Sequence, residues 1–250
     1  MYRLLFIGIT GSVSGMAASN ELHGWTTENR PRKFLRSRSS AEACLMSIEA
    51  VIFDIGNVLV RFDWQLAEQQ FRTRIGNDTK EAREELFVLK ERLELGRISQ
   101  EAFVREAIRA VGFRGRPDEF ATIWNCIFSP NEPMEKLVGG LRKSLPLYLL
   151  SNTSELHLAH LAKSFEILRH FTDGVYSCRV ECAKPDRRIF EIAAKRFGLM
   201  PSRTLYVDDL AENIESAGDF GFHAIQYDLK KHLEFQETLA CLISGQWQCQ

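Results

Sequence analysis

The stretch Ala50-Val51-Ile52-Phe53-Asp54-Ile55-Gly56-Asn57-Val58-Leu59 sets a carboxylate where a short apolar run gives way to a glycine-containing turn. Such a run, bounded by a turn, suits a strand covered on both faces. Burying an unpaired carboxylate costs several kcal/mol, so Asp54 either lies exposed at a sheet edge or does chemistry there. The same pattern recurs down the chain. Ala50–Phe53, Leu147–Leu150, Gly174–Tyr176, Thr204–Val207 and His223–Tyr227 read as strands, and helical segments separate most of them. Ile189, Phe190, Ala193, Ala194 and Phe197 form one helical face, with Pro185 near its start and Gly198 at its end. Ile214, Ala217 and Phe220 form another, stopped by Gly221. This alternation predicts an α/β fold built on a Rossmann-like, doubly wound parallel sheet.

The interval between the first two strands breaks the rhythm, because it is far longer than an ordinary crossover. It contains no good strand and reads as helices at about 64–76, 79–95, 99–112 and 117–128. Leu86, Leu89 and Leu93 are spaced to pack on Phe103, Ala107, Ile108 and Val111. Between those two helices, Gly96 supplies a stop and Ser99 a cap. The expectation is a small helical domain (63–134) inserted into a sheet domain made of 46–62 and 135–250. Residues 1–20 carry a weak secretory pattern, and 30–40 are rich in Arg and Ser. The reading adopted for 1–45 is a disordered extension or a start assigned too far upstream, Met46 being a natural beginning.

A net charge of -1 gives no electrostatic basis for binding nucleic acid. No apolar stretch approaches the roughly 18 residues of a membrane span. The 6 cysteines (44, 126, 178, 182, 241, 249) lack metal-ligand spacing and read as free thiols in a reducing cytosol.

Ligands of such sheets bind outside the carboxyl ends of the strands. Reading those ends in turn gives Asp54, Ser151-Asn152 and Asp208-Asp209, with Lys184 in the loop before the Pro185 helix. Three carboxylates in one crevice repel unless a cation joins them, and an all-oxygen ligand set favours a hard ion such as Mg²⁺. Ser151 and Asn152 precede a helix start whose N–H groups suit phosphate oxygens, and Lys184 adds a positive charge for the same anion. Asp54 is then placed to attack phosphorus and form an aspartyl-phosphate. The expected substrate is a small phosphorylated metabolite, with Asp54 and Lys184 as the catalytic candidates. His157 and His160 read as a solvated helix face rather than a metal site. Phe62 and Trp64 read as packing between insert and sheet domain or as substrate contacts, and Arg61 as a surface charge.

Taken together, four segments resemble the motifs of the haloacid dehalogenase superfamily. They are Phe53-Asp54-Ile55-Gly56-Asn57-Val58-Leu59, Leu149-Leu150-Ser151-Asn152-Thr153, Ala183-Lys184-Pro185-Asp186 and Leu205-Tyr206-Val207-Asp208-Asp209. The resemblance covers about residues 47–230 and is nearest to the branch containing bacterial α-glucose-1-phosphate phosphatase. It implies that the helical insert is a type-one cap closing over small substrates. It also implies a metal site made of Asp54, the Gly56 carbonyl, Asp208 and Asp209. One position departs from the pattern: the family's usual second acid of motif one, which protonates the leaving alcohol, is Gly56 here. General acid–base assistance is typically worth about 10²–10⁴ in rate. Asp63 is the substitute acid considered. Two alternatives therefore stay open, a 2-haloacid dehalogenase and a non-catalytic phosphometabolite-binding protein.

Overall fold

The structure is a computed structural model that describes residues 47–244. The extension expected over 1–45, Cys44 and Cys249 lie outside the described residues. In chain order the elements are β1 (Ala50–Phe53), β2 (Val60–Phe62), α1 (Trp64–Phe71), α2 (Lys80–Glu94), α3 (Gln100–Val111), α4 (Pro117–Asn125), β3 (Phe128–Pro130), α5 (Glu132–Leu141), β4 (Leu147–Ser151), α6 (Glu155–Ser164), β5 (Asp173–Tyr176), α7 (Ser177–Val180), α8 (Arg187–Phe197), β6 (Thr204–Asp208), α9 (Ala211–Phe220), β7 (His223–Gln226) and α10 (His232–Ile243).

Five strands pair in the order β5-β4-β1-β6-β7, every neighbour parallel. β1 is central and wholly buried, which is why it reads as an unbroken apolar run. Its side chains alternate between two packed layers. Val51 and Phe53 join Met134 and Val138 of α5, Leu158 and Leu161 of α6, and Phe235 and Leu239 of α10. Ile52 faces the other way, onto Ile189, Phe190 and Ala193 of α8 and Ala217 of α9. From β1 the chain crosses to β4 on one side, whereas from β6 it crosses to β7 on the other. The carboxyl ends of β1 and β6 therefore flank the point where the connections diverge, the usual ligand crevice of an open α/β sheet.

The segment between β1 and β4 holds α1 to α4, and it also contains a two-stranded antiparallel ribbon that the sequence did not reveal. Val60 pairs with Pro130, Arg61 with Ser129 and Phe62 with Phe128. Strands of three residues, one carrying an exposed Arg and the other ending in Pro, are too short to display a period of two. Inside the insert an aromatic core forms where α1, α3 and α4 meet. Trp64 stands edge-on to Trp124 at 4.8 Å, Phe71 lies 5.0 Å from Phe120, and Phe103 lies 4.9 Å from Trp124. The Ser99 cap is realised, its hydroxyl accepting from Ala102 N at 3.2 Å. Helix α1 stops at Phe71, short of the expected 76, where the chain turns so that Ile75 bridges Phe113. Among the described residues, no helix is long and apolar enough to cross a membrane.

Candidate active site at the sheet crossover

Register alone brings the acids together. Phe53 pairs with Val207 on one side and with Leu149 on the other, so the residues that follow leave the sheet side by side. Carboxylate oxygens of Asp54, Asp208 and Asp209 all lie within 4.8 Å of one another. Lys184 reaches in from the loop before α8, its Nζ 2.8 Å from Asp54 Oδ1 and 2.7 Å from Asp208 Oδ2. The ammonium also donates to the Leu150 carbonyl at 3.0 Å. A buried lysine is tolerable here because it donates to Asp208 and to the Leu150 carbonyl and two carboxylates supply the counter-charge.

The four donors around Asp208 define its role. Oδ1 accepts from Leu210 N and from Asn213 Nδ2, each at 2.9 Å. Oδ2 accepts from Lys184 and from the Tyr206 hydroxyl. A carboxylate offers about four lone-pair sites, so Asp208 is saturated. A cation would draw first on Asp54 and Asp209, and would recruit Asp208 only by displacing one of these donors. Asp209 is far less occupied. Asn57 Nδ2 donates to its Oδ2 at 3.1 Å, while Asn57 Oδ1 accepts from Phe62 N at 3.0 Å.

The electrostatics follow the geometry. Burial pushes the Asp54 carboxyl above its ordinary value; Lys184 opposes this and Asp208 reinforces it. Burial also lifts Asp209, to about 6, with the Asp54 charge adding to the effect. At Asp208 burial acts upward too, but Lys184, Tyr206 and the Leu210 N–H outweigh it and the group ends below the usual range. Lys184 is held above its usual value because Asp54 and Asp208 outweigh the cost of its burial. Tyr206 lies well above the usual phenol range, through burial first and the neighbouring Asp208 charge second. Three carboxylates against one ammonium leave a negative excess in a partly dry crevice. That donor set fits a hard divalent cation such as Mg²⁺.

The remaining sequence candidates are distributed as follows. Ser151 is buried at the end of β4, beside Asp54, where its hydroxyl works against the upward push of burial on that carboxyl. The Asn152 side chain has a further task beside the phosphate-binding one expected of this stretch. Its Oδ1 accepts from Lys184 N at 2.8 Å and its Nδ2 donates to Lys184 O at 2.9 Å, so the amide fastens the lysine loop to β4. Gly56 sits between Asp54 and Asn57, and a Cβ built on it meets nothing within 4 Å. Asp63 is spent on the start of α1, accepting from Gln65 N at 2.9 Å. Arg61 is exposed on β2, Phe62 packs edge-on against Phe128, and Trp64 belongs to the core of the insert. Tyr206 and Asn57 were missed as site residues. The signal for Asn57 was available, since a Gly-Asn pair in a turn often takes positive φ, and its φ is 54°.

His157 also departs from expectation. It is not on a solvated face but buried between α6 and the insert, with Nδ1 2.8 Å from Asn125 Oδ1. Its ring lies parallel to Trp124 and edge-on to Phe128. Because Asn Oδ1 only accepts, Nδ1 carries the proton of a neutral ring. Burial drives its pKa down to about 3. The unfolded chain then binds a proton that the fold refuses, so stability should fall as pH drops from about 6.5 toward 3. The slope is up to about 1.4 kcal/mol per pH unit. Urea titrations at stepped pH should show this slope in the wild type and lose it in His157→Phe.

A second seam lies beside the loop that follows β4. The Ser177 hydroxyl accepts from Thr153 N at 2.9 Å and donates to the Glu94 carbonyl at 2.6 Å, tying the end of α2 to that loop. Gly96, at φ +66, lies so close to Cys178 that a Cβ would overlap the Cys178 carbonyl oxygen. Gly96→Ala combines left-handed strain of about 1–2 kcal/mol with a backbone clash. It is expected to lower the urea midpoint and to loosen the insert from the sheet domain, read as faster amide exchange at Thr153 and Ser177. Unchanged exchange there would show that this contact does not seat the insert.

Comparison with known proteins agrees with this layout. The chain is 30% identical over 190 residues to a D-ribitol-5-phosphate phosphatase of Bacteroides thetaiotaomicron, covering 72% of this chain and 91% of that one. It is 28% identical over 207 residues to a phosphatase of Mycobacterium tuberculosis, covering 73% and 88%. A crystal structure of a haloacid dehalogenase family enzyme from Bacteroides thetaiotaomicron, in complex with magnesium and inorganic phosphate, superposes with a TM-score of 0.67. It is 24% identical and covers 75% of this chain and 99% of that one. The family description "haloacid dehalogenase-like hydrolase" matches residues 48–221, and the chain belongs to that family.

Proposed function

We propose that the protein is a Mg²⁺-dependent phosphomonoester hydrolase of the cytosol, acting on a small phosphorylated metabolite through an aspartyl-phosphate. The observation that carries this is Asp54, paired with Lys184 at the sheet crossover and faced by two more carboxylates. The phosphatases among its relatives, and the neighbour that holds magnesium with phosphate, support the same reading.

The Asp54 and Asp209 carboxylates and the Gly56 carbonyl would hold the ion, with Asp208 behind them keeping Lys184 in place. When bound, the ion neutralises phosphoryl oxygens and offsets the charge that builds on them. Asp54 attacks phosphorus. Ser151 and the loop after β4 orient the phosphoryl oxygens, and Lys184 both aligns the nucleophile and lowers the energy of the charge-rich transition state. The helical insert, read as a cap over residues 63–134, excludes bulk water from the aspartyl-phosphate until the leaving group has gone.

A phosphate-release screen over sugar and polyol phosphates, with Mg²⁺ and with EDTA, tests the proposal. Turnover that requires Mg²⁺ is expected. Metal-independent chloride release from 2-chloropropionate would replace the reading with a dehalogenase. Tight binding of a phosphometabolite without any turnover would replace it with a binding protein.

A further inference from the structure

Resting on the phosphatase reading above, we propose that the substrate is a phosphate whose leaving oxygen departs unprotonated: an acyl, enol, aryl or anomeric phosphate rather than an ordinary alkyl ester. The carriers are what stands beside the nucleophile and what does not. Asp54, two residues before Gly56, and Asn57, the residue after it, put their side chains into the carboxylate cluster, Asp54 toward Lys184 and Asn57 toward Asp209, while Ile55 packs into the core. Between them Gly56 contributes no side chain, and the space a Cβ would take is open.

Among the described residues, the remaining groups around Asp54 are not placed to give a proton. Lys184 donates to Asp208 and to the Leu150 carbonyl and is held as a charged ammonium by its ion pair with Asp54. The Tyr206 proton is held by Asp208. Asp208 accepts from four donors, and Asp209, which accepts from Asn57, is the ligand assigned above to the ion. Asp63, at the head of α1, caps Gln65.

The transfer therefore balances without a protein acid. An Asp54 oxygen bonds to phosphorus as the bond from phosphorus to the leaving oxygen breaks. That electron pair departs with the oxygen as an anion, and solvent protonates it afterwards. Water then attacks phosphorus, the bond to Asp54 breaks, its pair returns to the carboxylate, and the water's proton goes to solvent. With no acid, the first step slows as the leaving group becomes more basic, and the handicap for an alkyl ester is of the size that acid assistance normally supplies, about 10²–10⁴.

The test is kcat/KM, together with rapid-quench formation of the phosphoryl-enzyme, in Mg²⁺ buffer. The substrates are a series of ring-substituted phenyl phosphates, acetyl phosphate and a polyol phosphate. The wild type is expected to fall by about 10² or more from the acidic to the alkyl end, leaving a polyol phosphate such as the relative's among the slowest. Gly56→Asp, whose Cβ would meet nothing within 4 Å, is expected to raise the alkyl end by tenfold or more and flatten the series. A wild-type series that is level overturns the inference while leaving the phosphatase reading intact. Release from no member of the series, with or without Mg²⁺, overturns the phosphatase reading itself and the inference with it. Should Gly56→Asp not fold, the slope of the wild type decides alone.

Discussion

Asp54→Asn is expected to abolish phosphate release, with a loss on the order of 10⁵ or more in kcat, because an amide cannot take and return a phosphoryl group. The fold should survive the change. Burial holds the Asp54 carboxyl above its usual value, so at pH 7 its ionised form is less favourable in the folded chain than in the unfolded one. A neutral isostere removes that cost and the repulsion with Asp208, and gives up the pairing with Lys184. Lys184 keeps Asp208 Oδ2 and the Leu150 carbonyl as acceptors. The urea midpoint should therefore lie near that of the wild type, so the lost activity reports chemistry. A variant that unfolds early would instead show that Asp54 is held mainly for structure.

Lys184→Met should affect both properties. Its removal strands two buried carboxylates that now share one ammonium. Breaking a buried pair by deleting one partner typically costs about 3–5 kcal/mol. It also frees the loop that Asn152 fastens to β4. Stability should drop by that amount in urea, and kcat should fall together with kcat/KM as transition-state charge loses its counter-ion. Mg²⁺ should recover part of the stability, since a cation bound only to the folded chain stabilises it by mass action. Arg is not expected to rescue activity, because a planar guanidinium does not replace a compact ammonium among three converging oxygens. A variant as stable as the wild type would contradict the buried pairing.

The sheet was legible because its three inner strands are buried and so appear as unbroken apolar runs, Val51-Ile52-Phe53 and Leu205-Tyr206-Val207 above all. Strand ends then located Asp54, Ser151, Asp208 and Asp209 without knowledge of contacts. What stayed hidden depends on partners distant in sequence. The side-chain amide of Asn152 is tied to Lys184, 32 residues on, a link that sequence spacing does not show. The saturation of Asp208 depends on Tyr206 two residues earlier on the same strand face and on Lys184 from another loop. His157 looks polar on a helix, yet the α4 end of the insert covers it. The β2–β3 ribbon is too short for its pattern to declare itself.

Trapping the intermediate puts the mechanism at risk most directly. The enzyme would be mixed with substrate and Mg²⁺, quenched in acid within the first turnover, digested and analysed by mass spectrometry. The account predicts one added phosphoryl group on the peptide carrying Asp54, absent from Asp54→Asn. Phosphate released with no such adduct, or with the group carried on another residue, would contradict it.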